Sequence, residues 1–118
     1  MRVLTVHRHD APAPTTLPDA APVYETALEW LHGTHENEAA ACLASCRLEI
    51  VPASGVYPLR EELQPVKLIL SGPRQTMSLL ERNPEIRGRV RQALDNALGR
   101  TVYLTQMALS TSAGSLAA

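Results

Sequence analysis

The side chains able to do chemistry fall into two sets, a His/Cys set in the first half of the chain and an arginine set in the second. The first runs His7-x-His9, then His32-x-x-His35, then Cys42 and Cys46 four residues apart. A zinc centre needs about four such ligands converging on one point. His32 and His35 flank an expected break between two helices and the cysteines fall on the second helix, so convergence is sterically open, yet nothing in the spacing demands it. The favoured expectation is exposed histidines and buried cysteines. Four-residue spacing puts both thiols on one face of a helix, where they serve as small apolar side chains, and no disulfide framework is expected. No paired carboxylates stand in an acid–base setting, no Cys–His nucleophile has a cue beyond residue type, and no Gly-x-x-x-x-Gly-Lys-Ser/Thr phosphate loop occurs. The sequence thus points away from an enzyme and implies neither metal nor cofactor.

The second set is Lys67, Arg74, Arg82, Arg87, Arg89, Arg91 and Arg100. Formal net charge is −1, but residues 1–66 hold four basic and nine acidic side chains, whereas residues 67–118 hold seven basic and three acidic ones. Such a bipolar chain presents a basic face to an acidic partner or to phosphate while staying near neutral. The plainer reading is a solvated helix surface, in which Arg91 and Asp95 form an i,i+4 pair worth a few tenths of a kcal/mol. As a binding face, Lys67, Arg74, Arg82, Arg87, Arg91 and Arg100 are the candidates, since Arg offers a planar fork of donors to carboxylate or phosphate. The chain has no Phe, one Trp and three Tyr. Base stacking is therefore disfavoured, and any contact with nucleic acid would be electrostatic and steeply salt-dependent.

These residues must be positioned by a small body. One domain fits a length of 118 residues, and its core must be aliphatic. Arg2–Val6 reads as a short strand, and Ala11–Pro22, with four prolines, reads as an extended arm. The ordered body is expected over residues 23–109, between a Pro-rich arm (1–22) and a disordered tail of small polar residues (110–118). Val23, Ala27, Trp30 and Leu31 form a helical stripe ended by Gly33, with Trp30 as a core plug or, failing that, an interface anchor. Thr34 is the expected N-cap of a second helix with Ala39, Cys42, Leu43 and Cys46 inward. Arg47–Val51 is a strand. Pro52–Pro65 is an irregular connection with a helical turn at Leu59–Leu63, and Val66–Leu70 is a second strand.

Ser71 or Gly72 is expected to cap a helix with Pro73 in its first turn, Met77 and Leu80 pointing inward. Asn83 and Pro84 then start the clearest helix, whose stripe is Ile86, Val90, Ala93, Leu94, Ala97 and Leu98. Gly99 stops it, and Thr101–Met107 is the last strand. The expected class is α+β in the order α-α-β-β-α-α-β, a helical hairpin plus a small three-stranded sheet with two further helices. No run approaches the length of a membrane span, so no membrane partner is expected and the chain reads as cytoplasmic.

The stretch "VKLILSGPRQTMSLLERNPEIRGRVRQALDNALGRTVYL", with the hairpin around "ALEWLHGTHENEAAACL", resembles the N-terminal domain of the bacterial replication initiator DnaA and the C-terminal domain of the DNA polymerase III tau subunit. Both families show a hydrophobic strand, a Pro-marked helix start, a long amphipathic helix, a Leu-Gly stop and a closing strand. About 80 residues are covered. The resemblance implies a KH-like α+β fold and a non-enzymatic protein-interaction module of DNA replication or repair, its partner a helicase, polymerase or initiator-type protein. The aromatic typical of the DnaA module just after the helix start is Thr76 here. A nucleic-acid-binding module using the same basic face, on single- or double-stranded DNA, is the alternative. A three-stranded sheet also leaves edges with which a second copy would pair.

Overall fold

Helical stripes and strand alternation in the sequence resolve into two layers. The computed structural model describes residues 17–53, 64–99 and 103–112. Their elements are α1 (Ala20–Gly33), α2 (Asn37–Ala44), β1 (Arg47–Pro52), β2 (Gln64–Gly72), α3 (Arg74–Arg82), α4 (Pro84–Leu98) and β3 (Tyr103–Thr111). The class is α+β, with four helices and a three-stranded mixed sheet among the described residues. The expected strand at Arg2–Val6 and the helical turn at Leu59–Leu63 lie outside them.

On α1, Val23, Ala27 and Leu31 are buried at four-residue spacing. Trp30 sits one position off that stripe, half-buried against the rim of the core, so the core plug is Leu31 instead. The helix starts three residues before Val23. Pro22 falls in its first turn, where the backbone has no intrahelical acceptor to reach and a missing N–H costs nothing.

The turn into α2 departs from expectation in an instructive way. Thr34 is the C-cap of α1, its hydroxyl donating to the Trp30 carbonyl at 2.9 Å, and Glu36 takes the N-cap place without a side-chain capping bond. His35 adopts φ 61, its N–H donates to the His32 carbonyl, and the Glu36 N–H donates to the Leu31 carbonyl. These two bonds and the left-handed residue make a Schellman turn. A Thr that satisfies carbonyls behind it is not free to cap amides ahead.

Ala39, Ala40, Cys42 and Leu43 are buried on α2, and Cys46 follows just beyond its end. Small side chains let this helix lie close to α1, and the Tyr24 hydroxyl bridges the pair by donating to the Leu43 carbonyl at 2.9 Å.

Sheet order is β1-β2-β3, with β1 antiparallel and β3 parallel to the central strand. A parallel return requires a crossover, supplied here by α3 and α4. Val66, Leu68 and Leu70 alternate inward on β2, joined in register by Ile50 of β1 to form the sheet's share of the core, and Met107 and Leu109 of β3 pack half-buried at its margin. The other face carries Lys67, Ile69 and Ser71, half-exposed.

Two boundaries move for the same reason. β2 extends beyond the expected Val66–Leu70, and its longer ladder pairs Ser71 with Ser110 and Gly72 with Thr111. Residues read as the start of a disordered tail are thereby strand. Neither Ser71 nor Gly72 is the helix cap, since both lie in β2. A Cβ at Gly72 would meet Cys46 Sγ at 2.9 Å and the Ser45 carbonyl at 3.3 Å, so glycine is needed for close approach, and Pro73 takes the N-cap place of α3.

Met77 and Leu80 point inward on α3, and Ile86, Val90, Ala93 and Leu94 on α4. The Asn83 side-chain oxygen accepts from the Ile86 N–H at 3.1 Å, Pro84 opens the helix, and Gly99 at φ 91 ends it. No described helix is long and apolar enough to cross a membrane.

Candidate interaction surface

The six candidate residues do not converge. Lys67 lies on the open face of the sheet, in register with Val51 and Gln106, away from the helices. Arg74 and Arg82 are the first and last residues of α3, both exposed, and a helix of this length separates them by about 12 Å along its axis. Arg100 lies outside the described residues.

Arg87 and Arg91 are on the flank of α4 that faces α3 and β3, and both are held by backbone carbonyls. Arg87 Nη1 stands 3.4 Å from the Leu80 and Glu81 carbonyls, at the C-terminal end of α3. That is where a helix leaves carbonyls without partners and where its dipole favours a cation. Arg91 Nη2 donates to the Thr105 carbonyl at 2.6 Å, and its Nε lies 3.6 Å from Asp95 Oδ2. The Thr105 hydroxyl donates to Asp95 Oδ1 at 2.6 Å, closing a three-residue network between α4 and β3. The Arg91 side chain nevertheless remains 45% exposed, while Asp95 is 14% exposed.

Arg89, on the opposite flank of α4, pairs with Glu36 Oε2 at 3.4 Å. This pair links α4 to the start of α2 beside a cleft of about 350 Å³ that His35, Asn83 and Glu85 help line. Neither the cleft nor the Thr105 network was visible in the sequence. The Arg91/Asp95 spacing was legible as a helix pair, but its third member depends on where β3 crosses α4.

The His/Cys set is likewise dispersed. His32 and His35 are exposed, and Cys42 and Cys46 are buried free thiols. Cys46 Sγ donates to the Cys42 carbonyl at 3.1 Å. Burial, then the neighbouring Cys42, pushes the Cys46 thiol up to about 11, and burial with Glu38 raises Cys42. Burial thus disfavours the thiolate at both cysteines, the form that acts as nucleophile or metal ligand. Among the described residues no group of three or more His, Cys, Asp or Glu is placed to hold a metal ion. His7 and His9 lie outside the described residues.

No protein-family model matches the chain, and no curated protein and no solved structure is significantly similar to it. What the fold and this surface define is a small α+β domain whose arginines are spent partly on its own framework. Together α3 and α4 carry five arginines and three carboxylates, Glu81, Glu85 and Asp95.

Proposed function

We propose that this chain is a non-enzymatic protein-interaction module of the DNA replication or repair machinery, built like the DnaA N-terminal and tau C-terminal domains. Its partner is a helicase, polymerase or initiator-type protein, held by the surface of α3, α4 and the adjoining β3. The reading rests first on the element order α-α-β-β-α-α-β, the order on which the resemblance to those domains depends.

The observation that carries it is the state of the arginines. Arg87 and Arg91 are fixed by carbonyls of neighbouring elements, and Arg91 is partly neutralised by Asp95. A guanidinium oriented in advance loses less entropy on binding than a free one. Carboxylates interspersed with the arginines suit a protein surface of mixed charge. A phosphate backbone is better served by an uninterrupted basic stripe with its counterions released.

Arg74 and Arg82 are the exposed ends of this surface and have no ion-pair or hydrogen-bond partner among the described residues. The purified chain, immobilised and titrated with replicative helicase, polymerase subunit and initiator protein, binds one of them. R82E weakens that binding about tenfold, or about 1.4 kcal/mol, with the fold unchanged by circular dichroism. Parallel titration against short single- and double-stranded DNA at low and moderate salt shows no comparable affinity. Binding to none of these proteins would overturn the reading. Micromolar DNA binding with a steep salt slope would replace it with nucleic-acid recognition.

A further inference from the structure

Among the described strands, the sheet has two edges of very different character. β1 carries Arg47, Glu49 and Pro52, the charges and proline that blunt an edge against unwanted pairing. β3 carries no charge and no proline from Tyr103 to Thr111, and no described strand pairs with its outer side. Met107, Ala108 and Leu109 are all half-exposed.

Backbone polarity on this edge is set. The ladder to β2 ends with the Ser112 N–H donating to the Gly72 carbonyl at 2.7 Å. In a parallel ladder alternate residues face the partner strand, so even-numbered residues of β3 face β2. Odd-numbered ones present their N–H and C=O groups outward. The Thr105 carbonyl, which Arg91 reaches from α4, is one of these outward groups.

We propose that β3 pairs antiparallel with β3 of a second copy about a two-fold axis at Ala108, joining the six described strands of the two copies into one continuous sheet. This register matches like with like. Met107 stands opposite Leu109 of the second copy on the helix-covered face, and Thr105 stands opposite Thr111. On the open face Ala108 meets Ala108, and Gln106 meets Ser110. All the outward-facing residues pair with outward-facing residues, giving about eight backbone hydrogen bonds. Shifting the axis one residue, to Met107, sets Leu109 against Thr105 and Ala108 against Gln106. An uncharged strand also avoids the like-charge encounters that self-pairing of β1 would create around Glu49. The Thr105 carbonyl, with two lone pairs, accepts from Arg91 and from the second copy together. This self-matching favours a second copy over an unrelated extended peptide; it takes up the β3 edge of the surface proposed above and leaves α3 and α4 to the protein partner.

Ala108 lies at the axis, on the open face, and its amide serves β2, so substitution there leaves the core intact. Sedimentation velocity of the full chain across a micromolar concentration series reports a monomer–dimer equilibrium. Ala108→Glu and Ala108→Lys, each folded by circular dichroism, weaken it at least tenfold, and an equimolar mixture of the two restores it. Ala108→Cys cross-links rapidly under mild oxidation, because residues opposed in a non-hydrogen-bonded pair have Cβ atoms close to disulfide spacing. Ser110→Cys, facing Gln106, does not. A wild-type chain that stays monomeric would overturn the proposal, whether the edge is then empty or taken by an extended peptide or by the chain's own residues 2–6. So would charge variants that dimerise like wild type, or a Ser110→Cys variant that cross-links as fast as Ala108→Cys.

Discussion

His35 holds the left-handed position of the Schellman turn between α1 and α2, a place glycine fills at no steric cost. His35→Gly should therefore raise stability, by about 0.5–1 kcal/mol after the entropy of the freer unfolded chain is counted. Urea denaturation measures it; a loss of stability would mean that the imidazole makes up the difference through contacts of its own. Cys46 gives a pH dependence whose sign follows from burial. Its thiol is raised from 9.0 to about 11 in the folded chain, so the native state keeps a proton that the unfolded state releases. Stability from this group is complete below pH 9 and falls as pH rises toward 11, by about 2–3 kcal/mol at most. Denaturation midpoints across that range should drop, and Cys46→Ala should flatten the slope while lowering stability at neutral pH through the lost packing.

At the scale of elements, what could be read in advance depended on whether the signal was local. The start of α4 at Asn83-Pro84 and its stop at Gly99 were legible because capping is a matter of adjacent residues. Asn83→Ala should cost about 1 kcal/mol by urea titration. If it costs nothing, the Ile86 amide has another acceptor. The start of α1 was obscured because a Pro-rich run looks extended whether or not a helix begins inside it. At Thr34 and at Ser71-Gly72 local capping rules point to the wrong caps, because Thr34 serves carbonyls behind it and Gly72 serves a close approach distant along the chain. Gly72→Ala forces a Cβ against Cys46 Sγ and the Ser45 carbonyl, and should destabilise by about 1–3 kcal/mol. Thermal unfolding tests this, and Cys46→Ala in the same chain should relieve part of the cost.

At the scale of the molecule, the order of the described elements was legible and the disposition of charge was not. Sequence gathers Lys67, Arg74, Arg82, Arg87 and Arg91 within one stretch of the second half. The fold sends Lys67 to the open face of the sheet, ties Arg87 to α3 and Arg91 to β3, and leaves Arg74 and Arg82 at opposite ends of one helix. A linear charge count cannot see this, because the carbonyls that engage the arginines become neighbours only after the elements dock. The candidate surface is consequently narrower than the basic half suggested, and its exposed anchors lie at the ends of α3.

The parallel pairing of β2 with β3 also has a consequence in time. About forty residues separate Gly72 from Thr111, and a ribosome adding about 5–20 residues per second takes about 2–8 s to make them. Throughout that interval the central, most apolar strand, with Ile69 beside Leu68 and Leu70, has a neighbour on one side only. The closing strand must then return across two helices, a long-range step that slows folding. The nascent chain is thus most in need of a chaperone before β3 is made, and pauses in translation between Arg74 and Leu98 should increase its aggregation more than pauses within α1.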